Sequence, residues 1–206
     1  MSPPGRPKGE YRSAQHEGTP VSAPTLRKAE RIQGRNLVLR NAGVADAAFI
    51  LGLRSDERKA RHLSRTPPSL GEQVAWLERY GRSTREAYFI IEAAGAEPLG
   101  TVRLYDPQGE SFCWGSWILK DGAPSSAAIE SALMVYAYAL DSLGFRCAHF
   151  QVQRDNQRVW AFHERFGAVR VGQDDTEFRY TLSNVAIRAS MQRYRRFLPA
   201  AATAEA

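Results

Sequence analysis

Hydrophobic positions along this chain switch between a period of two and a period near 3.6, and the switches divide it into elements. In "NLVLRNAG" Leu37 and Leu39 alternate with polar neighbours and the run ends at Gly43, which predicts a half-buried first strand. "VADAAFILGLRSDERKARHL" carries Ala48, Ile50, Leu51, Leu53 and Leu63 at helical spacing, with Asp46 suited to the first turn or the cap. After the turn-forming Pro67 and Pro68, "SLGEQVAWLERYGRS" offers Ser69 as a cap, Glu72 as its capping-box partner, and Val74, Trp76, Leu77 and Tyr80 as an apolar side. The aromatic and β-branched runs 87–93, 97–106 and 111–119 are separated by "AGAE" and "PQGE" turns and read as an antiparallel meander. "PSSAAIESALMVYAYALDSLGF" then lines up Ile129, Leu133, Tyr136, Ala137 and Leu140 on one stripe and stops at Gly144. Residues 147–153 return to strand, a helix runs from about Asn156 to Phe166, a strand follows Gly167, and 177–183 give the last strand.

A meander followed by strand–helix–strand crossovers predicts an α+β sandwich, with a mixed, mostly antiparallel sheet of about six or seven strands and helices on both faces. One domain over 34–198 accounts for these elements. Residues 1–33 hold five of the eleven prolines and too few apolar residues to bury, so a disordered basic tail is expected there, and 199–206 read as a frayed end.

At 206 residues and 43% hydrophobic the chain suits one well-cored domain. A formal charge of +6 and a pI near 9.6 point to an anionic partner without saying which. Cys113 and Cys147 sit in apolar, strand-like contexts outside any metal-binding spacing, so free thiols and no metal are expected. No run reaches the roughly 18 apolar residues of a membrane span, no secretory leader is visible, and a soluble cytoplasmic protein is the expectation. No aromatic and basic interleaving marks a nucleic-acid platform.

The chemistry concentrates in "RDNQRVWAFHERFGAVRV", residues 154–171. His163 lies one turn from the helix end between Phe162 and Phe166, where a packed core ring and a catalytic imidazole are both open readings. The succession Asn156, Val159, His163, Glu164, Arg165, Phe166, Gly167, in this order of elements, resembles the Gcn5-related N-acetyltransferase family over roughly residues 36–183. Within the family, "WGSWIL" and "LRSDERKARHLSRTPPSLGEQVAWL" look most like members that acetylate an amine on a nucleotide-linked sugar.

The resemblance implies acetyl-CoA as co-substrate, bound where the fourth and fifth predicted strands splay apart, with the backbone of Trp117, Ile118 and Leu119 pairing with the pantetheine arm. Gly115 and Ser116 would leave room for that approach. The pyrophosphate would meet Gly122, Ser125, Ser126 and Ala127 at the next helix start, with Lys120 adding charge and Pro124 setting the first turn; Ser125 could equally be a plain cap. This loop, "KDGAPSSAAIE", departs from the family's glycine-rich pattern. Asn156 would cap its helix and, with Val159, meet pantetheine, while Arg154 and Arg158 could reach CoA phosphates. Trp160 reads as packing. His163 takes the place of a tyrosine that protonates the leaving thiolate, and as an imidazolium it would need only a modest rise in pKa to do so. His149 is the candidate base, ahead of His62, Glu86 and Glu130. Arg58, Arg61, His62 and Arg65 could hold an acceptor diphosphate, or form a solvated helix face. The small-molecule acceptor is expected to be a nucleotide-linked amino sugar, and a homodimer is compatible with this reading. The alternatives are a protein N-terminal or simple amine, or a non-catalytic module engaging a partner through "RKAERIQGR" and "RYRRFL".

Overall fold

The computed structural model describes residues 23–56, 62 and 69–199. Its strands are β1 (Arg31–Gln33), β2 (Leu37–Asn41), β3 (Ala87–Ala93), β4 (Pro98–Gln108), β5 (Ser111–Leu119), β6 (Cys147–Gln153), β7 (Val169–Gln173) and β8 (Glu177–Ser183). The α-helices are α1 (Ala47–Ser55), α2 (Leu70–Arg82), α3 (Ala127–Ala137), α4 (Gln157–Arg165) and α5 (Asn184–Arg193). The strands form one sheet in the order β1-β2-β3-β4-β5-β6-β8-β7, antiparallel throughout except for the parallel pair β5–β6. This is the mixed α+β sandwich expected, with eight strands.

Alternation along β3 separates two cores. Ala87, Phe89 and Ile91 join the larger one with Leu133 and Tyr136 of α3, Phe162 of α4 and Ile187 of α5, whereas Tyr88 and Ile90 face Ala47 and Ile50 of α1 and Leu77 and Tyr80 of α2. Helix α2 starts as its sequence directs, with the Ser69 hydroxyl accepting from the Glu72 N–H at 3.3 Å. Asp46 accepts the Gly43 N–H at 2.8 Å and takes both terminal nitrogens of Arg40, which also bonds Glu92.

The domain starts earlier than expected. Leu26 is buried in the larger core, the Lys28 ammonium donates to the Tyr80 and Gly81 carbonyls at the end of α2, and Arg31–Gln33 pair with β2. A single anchoring leucine and a three-residue polar edge strand carry no periodicity, so a window of sequence reads them as tail. Residues 1–22 and 200–206 lie outside the described residues. Helix α5 was also not anticipated. It buries only Ile187 and Ser190, too few positions for an apolar stripe, and Ser190 ties it down by donating to the Phe166 carbonyl at 2.8 Å.

Candidate active site

Strands β5 and β6, the fourth and fifth anticipated from sequence, pair over only three positions: Ser111↔Cys147, Phe112↔Ala148 and Cys113↔His149. Beyond them β5 runs on to Leu119 held by β4, and β6 runs on to Gln153 held by β8, so the two diverge into a wedge. A bulge accompanies the divergence. Between Thr101↔Ile118 and Arg103↔Gly115 strand β5 contains one extra residue, Ser116 adopts φ +46, and its carbonyl accepts the Thr101 hydroxyl at 2.8 Å. Gly115 lies beside it, and a Cβ there would sit 3.0 Å from the Tyr105 hydroxyl, so that ring would have to give way.

Trp117, Ile118 and Leu119 lie on β5 along this wedge. The Trp117 indole donates to the Ser131 hydroxyl of α3 at 3.1 Å and packs on Trp114 and Phe162 with ring centroids 5.3 and 4.9 Å apart. Ile118 is buried and Leu119 half-buried. The loop that follows turns at Gly122 (φ +79), and the Ala127 N–H donates to the Pro124 carbonyl, so α3 begins at Ala127 rather than at Pro124. Ser126 occupies the capping position without a side-chain cap bond, and Ser125 is exposed ahead of it. The Lys120 ammonium is ion-paired with Glu97. The loop thus presents turned backbone and two serines.

Asn156 opens α4 through its carbonyl, which accepts the Val159 and Trp160 N–H groups at 3.1 and 3.2 Å, and the expected side-chain cap is not made. Val159 is half-buried one turn in. Trp160 packs edge-on against Phe178 and donates to the Arg154 carbonyl, while Arg154 lies over Phe178 and donates to Asp174; Arg158 is exposed. Helix α4 ends in a Schellman turn: Gly167 at φ +92 donates to the Glu164 carbonyl and Ala168 to that of His163.

His163 is 5% exposed, its ring 4.2 Å from Phe150 and 5.2 Å from Trp114, centroid to centroid. Its Nδ1 is buried without a hydrogen-bond partner, and desolvation pushes the pKa down to about 3. That direction runs against the imidazolium acid the sequence suggests at this position. The apolar walls that hold the ring in place disfavour its charged form. The Trp114 indole N–H and Tyr136 hydroxyl nearby are likewise buried and unpartnered.

His149 occupies the opposite face of β6 from the buried Ala148 and Phe150. Its Nδ1 is 2.7 Å from the Ser111 hydroxyl and its Nε2 is 3.3 Å from the Asp106 carboxylate, at the closed end of the wedge. Ser111 and Asp106 escaped the sequence reading because only the β5–β6 register and the β4–β5 hairpin bring residues 106, 111 and 149 together.

The lesser base candidates are otherwise engaged. Glu86 is ion-paired with Arg103, whose guanidinium lies 5.2 Å from the Trp76 ring and 5.0 Å from the Tyr105 ring. Glu130 is fully buried and accepts the N–H groups of Asn36 and Leu37 and the Asn36 amide, so it is a structural tie rather than a base. His62 meets Gln153 at 2.9 Å and Asp155 at 3.3 Å, which puts it at the C-terminal end of β6. Arg58, Arg61 and Arg65 lie outside the described residues. Among the described residues no three His, Cys, Asp or Glu side chains are grouped to hold a metal, and no helix is long and apolar enough to cross a membrane.

Comparison with known proteins bears on this arrangement. A family model described as an acetyltransferase (GNAT) domain matches residues 36–169. The chain is 35% identical to FdhC, solved in its apo form and described as a nucleotide-linked sugar GNAT, over 82% of this chain and 98% of that one, with a TM-score of 0.73. A GCN5-related N-acetyltransferase from Brucella melitensis shares the fold at 20% identity and a TM-score of 0.71, covering 87% of this chain and 90% of that one. Over 106 residues the chain is also 44% identical to a protein named ribosomal RNA small subunit methyltransferase G from Bordetella petrii; the match covers 52% of this chain and only 37% of that protein.

Proposed function

The chain belongs to the acetyltransferase (GNAT) family, and from that membership we propose that it transfers the acetyl group of acetyl-CoA to the primary amine of a nucleotide-linked amino sugar. The observation that carries the reading is the three-pair β5–β6 contact, which leaves the edge of β5 from Trp114 to Leu119 open to a pantetheine arm acting as a surrogate strand. The Asn156 amide, not used in capping, and Val159 stand on the other side of the wedge. The turned loop at Gly122, Ser125 and Ser126, with the start of α3 at Ala127, supplies N–H groups for the pyrophosphate. The 35% identity to a nucleotide-linked sugar GNAT, over nearly all of that protein, favours a sugar amine over a polyamine. His62, beside Gln153 and Asp155, is assigned to the acceptor side, and Arg61 and Arg65 are the residues that would meet a diphosphate.

The chemistry is direct attack of the free amine on the thioester carbonyl, forming C–N and breaking C–S. Holding both reactants in the wedge contributes through proximity. The ammonium must first lose a proton, and His149 is the base. The neutral His163 ring instead walls the thioester side with Trp114 and Phe150.

Acetyl-CoA at 100 times its Kd should raise the unfolding midpoint by about 5–10 °C. Thiol release should then be faster with nucleoside-diphosphate amino sugars than with spermidine or simple amines. Absence of the thermal shift at millimolar acetyl-CoA overturns the enzyme reading, and equal turnover of spermidine overturns the acceptor class.

A further inference from the structure

We propose that Ser111, His149 and Asp106 form a proton relay in which the acceptor amine delivers its proton to the Ser111 hydroxyl rather than to the imidazole directly. The inference rests on the acetyltransferase reading and goes beyond it by naming the atom the amine meets and the group that sets the tautomer of the base.

The contacts dictate the direction. A carboxylate only accepts hydrogen bonds, so with Asp106 3.3 Å from Nε2 the neutral ring carries its proton on Nε2. The lone pair is then on Nδ1, 2.7 Å from Ser111, whose hydroxyl must donate to it. As Ser111 gives its proton to Nδ1 it takes one from the ammonium, and the imidazolium so formed is stabilised by the Asp106 carboxylate. The amine attacks the thioester, the second nitrogen proton goes to the departing CoA thiolate, and His149 returns its proton to solvent.

Asp106 is a positioning residue, itself held by the Gln108 amide at 2.7 Å. Its backbone sits at φ +47 in the β4–β5 hairpin, which turns the side chain toward β6. The Gln108 and His149 bonds hold its carboxyl below the usual range, so it stays ionised at neutral pH. The neighbouring groups do not compete for the proton. On β4 and β5, burial raises the Tyr105 phenol and pushes the Cys113 thiol up to about 11, so both stay protonated. Arg85 bears on Asp106 and Arg103 on Cys113, and from β8 the partner of His149 is the uncharged Thr181.

The first test needs no acceptor. Imidazole 15N NMR at pH 8 should show His149 as the Nε2–H tautomer, shifted toward Nδ1–H in Asp106→Asn; an Nδ1–H tautomer in the unsubstituted protein overturns the relay. With the nucleoside-diphosphate amino sugar that gives the fastest thiol release, Ser111→Ala and His149→Gln should each lower kcat by about 100-fold, with Ser111→Thr recovering most of the loss. Asp106→Asn should lower kcat by at least about tenfold. All variants should keep the thermal response to acetyl-CoA. Full activity in Ser111→Ala with the acetyltransferase intact overturns the relay alone, whereas no thermal response and no thiol release in the unsubstituted chain overturn the parent reading.

Discussion

Acidification from pH 6.5 to pH 4.5 is expected to cost the folded chain about 2 kcal/mol through His163 alone. The folded ring titrates at about 3 because it is desolvated, while the unfolded chain carries an ordinary imidazole near 6.5. Below 6.5 the unfolded state binds a proton that the native state refuses. The stabilisation is therefore complete only about a unit above pH 6.5 and falls away as the pH drops through 6.5 to about 3. His163→Phe removes the titration and the unpartnered Nδ1, so its stability should lie at or above that of the parent at pH 7 and fall less steeply in acid by about 1 kcal/mol per unit. Urea midpoints at several pH values measure both. A parallel loss of stability in the two proteins would mean that His163 is charged in the fold. Turnover of the Phe variant should stay within about fivefold, because the loss expected on removing an acid or base is about 100-fold or more.

The second large effect is expected at Glu130. Its carboxylate accepts at 2.6 and 2.9 Å from the Asn36 and Leu37 backbone and at 3.0 Å from the Asn36 amide, and so pins the entry to β2 onto the first turn of α3. Glu130→Ala leaves the Leu37 N–H buried without an acceptor and opens a gap at a fully enclosed position. About 2–4 kcal/mol should be lost. Glu130→Gln retains one acceptor oxygen and should lose only about 1 kcal/mol. Denaturant midpoints separate the two, and a loss below about 0.5 kcal/mol in the Ala variant would contradict the tie. Turnover of the Gln variant should change less than about threefold, because the side chain faces backbone amides rather than a reacting amine.

His163 and Glu130 show where reading along the chain falls short. Both are polar residues on helices that pack against the sheet, and spacing alone gives each a functional and a structural reading. Burial resolves them: His163 faces aromatic rings that leave its nitrogen without a partner, and Glu130 meets two backbone N–H groups from 93 and 94 residues away. The converse failure is Asp106 and Ser111, which read as ordinary hairpin residues and become candidates for chemistry only across two strand registers.

What the sequence by itself determined is the order and type of the long elements, the α+β class, the turn of α4 into β7 at Gly167 and the resemblance carried by residues 156–167, because periodicity, caps and obligatory glycines are local properties of the chain. Where β5 and β6 part, which face His149 takes, how Leu26 and β1 join the domain and how fully His163 is desolvated follow from tertiary structure. Each of these depends on strand register or desolvation, and both arise only when segments distant in the chain exclude water together.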